Sequence, residues 1–155
     1  MTLYFAYGSN MQRAAMQARC PGAKAIGPAA LQGYKFFIGI DGWGSVKPSP
    51  GAIVHGIVWR LTPRDTAALH AYELLHKGLY DVRYLPVRLG ARRVRAMIYL
   101  LRRRSAGRPK PGYVEMIAAS ARRWRLPERY IRSVERWSVS RWTGTRVIDV
   151  DDVLI

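Results

Sequence analysis

An apolar run, Tyr4-Phe5-Ala6-Tyr7, stops at Gly8-Ser9-Asn10 and gives way at once to a helix-like stretch. A turn at such a junction leaves backbone N–H groups without partners, and the peptide dipoles add partial positive charge, so it suits an anion. Ser9 or Asn10 is expected as the N-cap, with Gly8 letting the backbone come close to a ligand. An ordinary strand-turn-helix junction reads the same way. The second feature is one carboxylate, Glu73, next to Tyr72 and four residues after Leu69, which sets it beside the apolar face of a helix. Pattern alone makes it an exposed helix residue; an apolar setting would make it a group able to take and return a proton.

Other chemistries find less support. His55, His70 and His76 fit no common metal spacing, and no metal or cofactor is expected. Ser9 follows Gly8, but G-x-S-x-G is absent and no His–Asp pair is indicated; there is no P-loop or dinucleotide fingerprint. Cys20 is the sole cysteine, which excludes an internal disulfide and a multi-cysteine metal site and reads as a structural thiol.

The elements that must position these residues can be read in order. A first strand leads to the turn, and a short helix over Met11 to Arg19 carries Ala14, Ala15 and Ala18 before Cys20-Pro21-Gly22 ends it. Leu31 to Ile40 reads as a strand and Ser45 to Lys47 as a short one, with turns at Asp41–Gly44 and Pro48–Gly51. Ala52 to Leu61 reads as a buried strand. Thr62-Pro63-Arg64-Asp65 is a helix start, with Thr62 as N-cap and Pro63 in the first position; the helix runs to about Leu75, with Ala68, Leu69, Tyr72 and Leu75 as its apolar face.

Leu79–Leu89 and Arg92–Leu101 form two strands around Gly90. In the second, Val94, Ala96, Ile98 and Leu100 alternate with a wetter face of Arg93, Arg95, Met97 and Tyr99. A basic loop from Arg102 to Gly112 precedes helices over Gly112–Trp124 and Pro127–Trp137, buried through Val114, Ile117, Ala118 and Ala121, then Tyr130, Ile131 and Val134. The tail from Thr143 to Ile155 is apolar enough to pack back as a strand or to meet a second subunit. Without a regular βαβ alternation or an internal repeat, the expected class is α+β, with a small closed sheet and flanking helices.

A chain of 155 residues that is 49% hydrophobic has the composition of one domain with a real core, and it shows neither a membrane-length apolar run nor a signal-peptide pattern. A cytoplasmic location follows as the expectation. The net charge of +16 comes mostly from arginines scattered along the chain. Such a surface attracts polyanions weakly and non-specifically, and otherwise serves solvation.

Taken together, the motifs resemble those of the γ-glutamylcyclotransferase-like family, which includes the γ-glutamylamine cyclotransferases and AIG2-like proteins. The resemblance covers most of the chain: Tyr7-Gly8-Ser9-Asn10, the strand Gly56 to Leu61, Leu69-His70-Ala71-Tyr72-Glu73, Gly78-Leu79-Tyr80, Pro109-Lys110-Pro111-Gly112-Tyr113 and Leu126-Pro127-Glu128-Arg129-Tyr130. It implies a partly closed barrel in a single domain over 1–155. It also implies Glu73 as the catalytic residue and a substrate site formed by Tyr4, Phe5, Ala6, Tyr7, Gly8, Ser9, Asn10 and Tyr113, with Tyr80 a weaker candidate. The implied reaction closes a small γ-glutamyl compound to 5-oxoproline and frees an amine, in a monomer or homodimer, with Glu73 as base and then acid. Two residues depart from the family pattern: Leu74 stands where glycine is usual after the glutamate, and His70 where an acid is usual three before it. The reading from another class is a non-catalytic module that binds a small acid in the pocket or nucleic acid on its arginines.

Overall fold

The computed structural model describes residues 1–76 and 78–138, and side chains throughout these except at 74–76. Five strands, β1 (Thr2–Ala6), β2 (Lys24–Ile38), β3 (Gly44–Leu61), β4 (Tyr80–Leu89) and β5 (Arg92–Leu101), close a barrel in the order β1-β3-β2-β4-β5. Neighbours are antiparallel except where β5 meets β1 in parallel through Tyr4 and Met97. Among the described residues, four α-helices, α1 (Arg13–Arg19), α2 (Pro63–His76), α3 (Tyr113–Arg123) and α4 (Glu128–Glu135), flank it. The α+β closed-sheet expectation holds. The apolar tail read at Thr143 to Ile155 lies outside the described residues.

The long β2–β3 hairpin differs from the sequence reading. β2 starts at Lys24, seven residues before the expected Leu31, because Gly27, Pro28 and a run of alanines hide its alternation. Pro48-Ser49-Pro50-Gly51 is not a turn but lies within β3. The pairing explains why prolines are tolerated there: the register steps from Gln32↔Ile53 to Tyr34↔Pro48, so residues 49–52 bulge opposite Gly33 and Pro50 is asked for no ladder N–H. Gly33, at φ 81°, takes the left-handed conformation that this bulge requires.

α2 begins on a reciprocal cap. Asp65 N donates to Thr62 Oγ1 at 3.1 Å, while Asp65 Oδ2 accepts from the Thr62 amide at 3.2 Å and its hydroxyl at 2.8 Å. Asp65 Oδ1 also accepts from Gly22 N at 3.2 Å, tying the exit of α1 to the start of α2. The buried line of α2 is Asp65, Leu69 and Glu73, four residues apart, whereas Ala68, expected inside, is exposed. Two of its three inward positions are carboxylates, so the inward face does not read as apolar in sequence; the Leu75 side chain lies outside the described set.

Cys20 closes α1 fully buried, its Sγ 3.6 Å from Asp65 O. Burial, reinforced by the Asp65 carboxylate and only partly offset by Arg19, pushes its thiol up to about 11. In the native protein at pH 8 a disulfide-exchange reagent should therefore label Cys20 at least about a hundredfold more slowly than in urea. Equal rates in the two conditions would contradict this placement.

The faces of α3 and α4 bury the expected Val114, Ile117, Ala118, Ala121, Tyr130, Ile131 and Val134. Arg122 ties the two helices across their exposed side through Glu128 at 2.8 Å and Glu135 at 2.6 Å. After α3, Trp124 Nε1 donates to Met11 O at 2.7 Å, bracing the turn that follows β1. Among the described residues, no helix is long and apolar enough to cross a membrane.

Candidate active site

β1 reaches its end against Gly56 of β3, where a Cβ would stand 2.4 Å from the Ala6 carbonyl oxygen and 2.8 Å from the Phe5 ring. The glycine lets β1 lie close and sets where the next residues emerge. They form a 3-10 turn over Ser9–Met11, with Met11 N donating to Gly8 O and Gln12 N to Ser9 O, both at 3.1 Å. The N-cap is Gly8, and neither Ser9 nor Asn10 caps with its side chain; α1 starts separately, capped at Gln12. Asn10 is used sideways instead. Its Nδ2 donates to the Tyr4 hydroxyl at 3.0 Å, and its Oδ1 accepts from Arg19 Nη1. Gly8 has an ordinary negative φ, and its lack of a side chain serves space: a Cβ would lie 3.1 Å from the Tyr113 hydroxyl.

These residues open onto one cavity. The turn contributes Tyr7 to Asn10 and β1 contributes Tyr4, while α2 supplies Glu73, only 6% exposed. Tyr113 enters from the start of α3, so Glu73, the turn, Tyr4 and Tyr113 meet in one space. Phe5 and Ala6 do not line it. Strand alternation turns Phe5 away, and both residues are buried in the core against Gly56.

Two lining residues, Gly44 and Tyr99, were not among the sequence candidates, and Tyr80, the weaker candidate, lines the cavity as well. The Tyr80 hydroxyl donates to Gly44 O at 2.9 Å and the Tyr113 hydroxyl accepts from Gly44 N at 3.1 Å, so one glycine is held by two tyrosines. Tyr99 falls on the strand face that alternation marks as wetter, yet it is 5% exposed. Its hydroxyl meets His70 Nδ1 of α2 at 2.7 Å, and its carbonyl accepts from the Tyr7 hydroxyl at 2.5 Å. His70, the departure from the family's acidic position, thus has a partner at the rim of the site. The sequence signal for Tyr80 was its place in Gly78-Leu79-Tyr80, while Gly44 and Tyr99 owe their positions to partners distant in the chain.

Burial, with the Glu73 carboxylate adding to it, holds the Tyr4, Tyr7, Tyr80, Tyr99 and Tyr113 hydroxyls above the usual tyrosine range, so all are neutral phenols at physiological pH. The hydroxyls of Tyr4 and Tyr113 accept from Asn10 and Gly44, which leaves each with its own proton to donate. A raised folded pKa means that the folded state keeps protons the unfolded chain sheds above pH about 10, so this contribution to stability is intact below that pH and is lost as pH rises past it. Each such phenol costs up to about 1.4 kcal/mol per pH unit in that range. Alkaline titration should show most tyrosinate absorbance appearing together with loss of the far-UV circular dichroism. Full tyrosinate formation near pH 10 with the dichroism intact would contradict the burial described.

The model of the family described as "Gamma-glutamyl cyclotransferase, AIG2-like" matches residues 4–125. The chain belongs to this family. Among curated relatives, the γ-glutamylcyclotransferases of Mus musculus and Homo sapiens are each 26% identical to it, covering 98% of this chain and 87% of their own length. A solved structure of a γ-glutamyl cyclotransferase superposes with a TM-score of 0.81 at 25% identity, covering 97% of this chain and 94% of that one. The barrel with flanking helices is therefore the γ-glutamylcyclotransferase fold. Membership supports a cyclotransferase activity on small γ-glutamyl compounds, a reaction whose product is 5-oxoproline.

Proposed function

We propose that the protein is a cytoplasmic cyclotransferase that closes a γ-glutamyl amino acid or amine to 5-oxoproline and releases the amine, with Glu73 moving the protons. The observation that carries this reading is a carboxylate only 6% exposed, lining one cavity with five tyrosines and the Gly8-Ser9-Asn10 turn. Backbone N–H groups of the turn hold the substrate's α-carboxylate or the oxyanion that develops on the γ-carbonyl. Tyr4 and Tyr113 donate their free protons to the same charge. Phe5 and Ala6 support the turn from the core.

The α-ammonium first gives a proton to Glu73, and the amine attacks its own γ-carbonyl, forming the lactam C–N bond. The bond to the leaving nitrogen then breaks as protonated Glu73 returns that proton to it, and Glu73 next carries the second proton from the ring nitrogen to the departing amine. Two protons leave the α-nitrogen between ammonium and lactam N–H, and two arrive on the leaving nitrogen. Charge and protons balance, and no water is consumed. Because attack is intramolecular, holding the substrate folded supplies much of the rate. Incubation with γ-glutamyl amino acids, γ-glutamyl amines and glutathione should yield 5-oxoproline from at least one of them; no 5-oxoproline from any, with tight binding of one, would favour a non-catalytic module.

A further inference from the structure

The arginines are scattered in sequence, but the register of the barrel gathers three of them. Arg88 of β4 stands directly opposite Arg93 of β5, and Pro86 opposite Arg95, so the three guanidinium groups share one face of the hairpin. This is the outer face: Val87, between Pro86 and Arg88, turns inward and is 2% exposed, whereas Arg88, Arg93 and Arg95 are exposed. Across its other edge Arg88 pairs with Ala30 of β2, which brings no charge. Asp81, the one acid in β2, β4 and β5, lies at the far end of β4 and holds Arg102 at 2.8 Å. Arg88, Arg93 and Arg95 have no acidic partner among the described residues. Like charges directly opposite in a ladder destabilise it, and an anion bound across Arg88 and Arg93 relieves that repulsion.

The same face continues into apolar side chains. Tyr84, two residues before Pro86, is 48% exposed, and Val82 beyond it is 38% exposed. Arg95 Cζ stands 5.7 Å over the Tyr84 ring. Alternate residues of a strand lie about 6.6 Å apart, close to the spacing of successive phosphates in an extended single strand. An exposed ring beside such a row of cations offers a stacking surface to an unpaired base. A duplex keeps its bases stacked within the helix and makes no use of the ring.

We propose that the outer face of the β4–β5 hairpin binds single-stranded nucleic acid, with Arg88, Arg93 and Arg95 on phosphates and Tyr84 stacked on a base. None of these four residues lines the Glu73 cavity, so the surface stands apart from the cyclotransferase reading.

The test is fluorescence anisotropy of the full chain with a labelled oligothymidylate of about twelve nucleotides, over a range of salt concentrations. Log Kd against log salt should have a slope of magnitude about 2, as three phosphate contacts give on a single strand. Arg88→Gln and Arg93→Gln should each weaken binding about fivefold and lower that slope by about 0.7, whereas Tyr84→Ala should weaken it about tenfold at unchanged slope. Arg103→Gln removes the same charge past the other end of β5, about 20 Å or more from Arg95 along the strand, and should change Kd by less than about twofold. The thermal midpoint of Arg88→Gln at low salt should hold or rise as the like-charge pair is relieved; a fall would make Arg88 a structural residue and overturn its assignment. Equal losses in Arg103→Gln and Arg88→Gln would leave only general charge attraction and overturn the site. Full binding by Tyr84→Ala, duplex DNA bound as tightly as the single strand, or tighter binding to vesicles of anionic phospholipid would overturn it as well.

Discussion

Glu73→Gln should lower 5-oxoproline formation by about a thousandfold, the scale of a lost general base and acid, while leaving the fold in place. Glutamine keeps the shape and can still donate or accept a hydrogen bond, but it cannot take a proton from the α-ammonium and return it to the leaving nitrogen. Replacing a buried carboxylate by a neutral amide also removes a desolvation cost, so the thermal midpoint should stay within a few degrees or rise. Substrate affinity measured by calorimetry should change little, because in the proposed mechanism the turn and the tyrosines make the binding contacts. A Glu73→Gln protein that turns over at the wild-type rate would remove Glu73 from the mechanism.

Gly56→Ala should be the most damaging single methyl in the barrel. The new Cβ would meet the Ala6 carbonyl oxygen at 2.4 Å and the Phe5 ring at 2.8 Å. A carbonyl within the β1–β3 ladder cannot rotate aside without breaking the Phe5↔Val58 and Ala6↔Ile57 pairing. We expect a loss of about 3 kcal/mol, at the upper end for overpacking, read as a lower urea midpoint at unchanged slope. Any shift of Ala6 also moves Tyr7 and Gly8, so the folded fraction should be slower as well. Gly51→Ala is the contrast: at φ 78° with open space around it, it carries only the left-handed penalty of about 1 kcal/mol. Equal midpoints for the two variants would refute the close approach of β1 to β3.

How much of this was legible in the sequence depended on whether a residue's role follows from its neighbours in the chain. The start of α2 was legible because a capping box is a local contract between Thr62 and Asp65, and so were the buried faces of α3 and α4, where apolar spacing follows helical periodicity. β2 was half hidden because bulges at Gly27 and Gly33 break the two-residue period, and Pro50 argued for a turn where the register supplies a bulge. In the site, the Gly8-Ser9-Asn10 turn and Glu73 were legible as separate features, and only the family resemblance joined them. Tyr99 was out of reach: its burial depends on α2 lying over that face of β5, a contact between residues 29 positions apart in sequence. Asn10 was named for the right place and the wrong task, since the cap it was expected to make is replaced by a bond to Tyr4.

Product analysis in H₂¹⁸O tests most directly whether this cavity closes its substrate on itself rather than admitting water. With a γ-glutamyl amino acid that turns over, the account predicts 5-oxoproline free of solvent ¹⁸O, in equal amount to the released amine, and dependent on Glu73. Glutamate carrying ¹⁸O as the primary product would mean that water attacks the γ-carbonyl, and would contradict the mechanism.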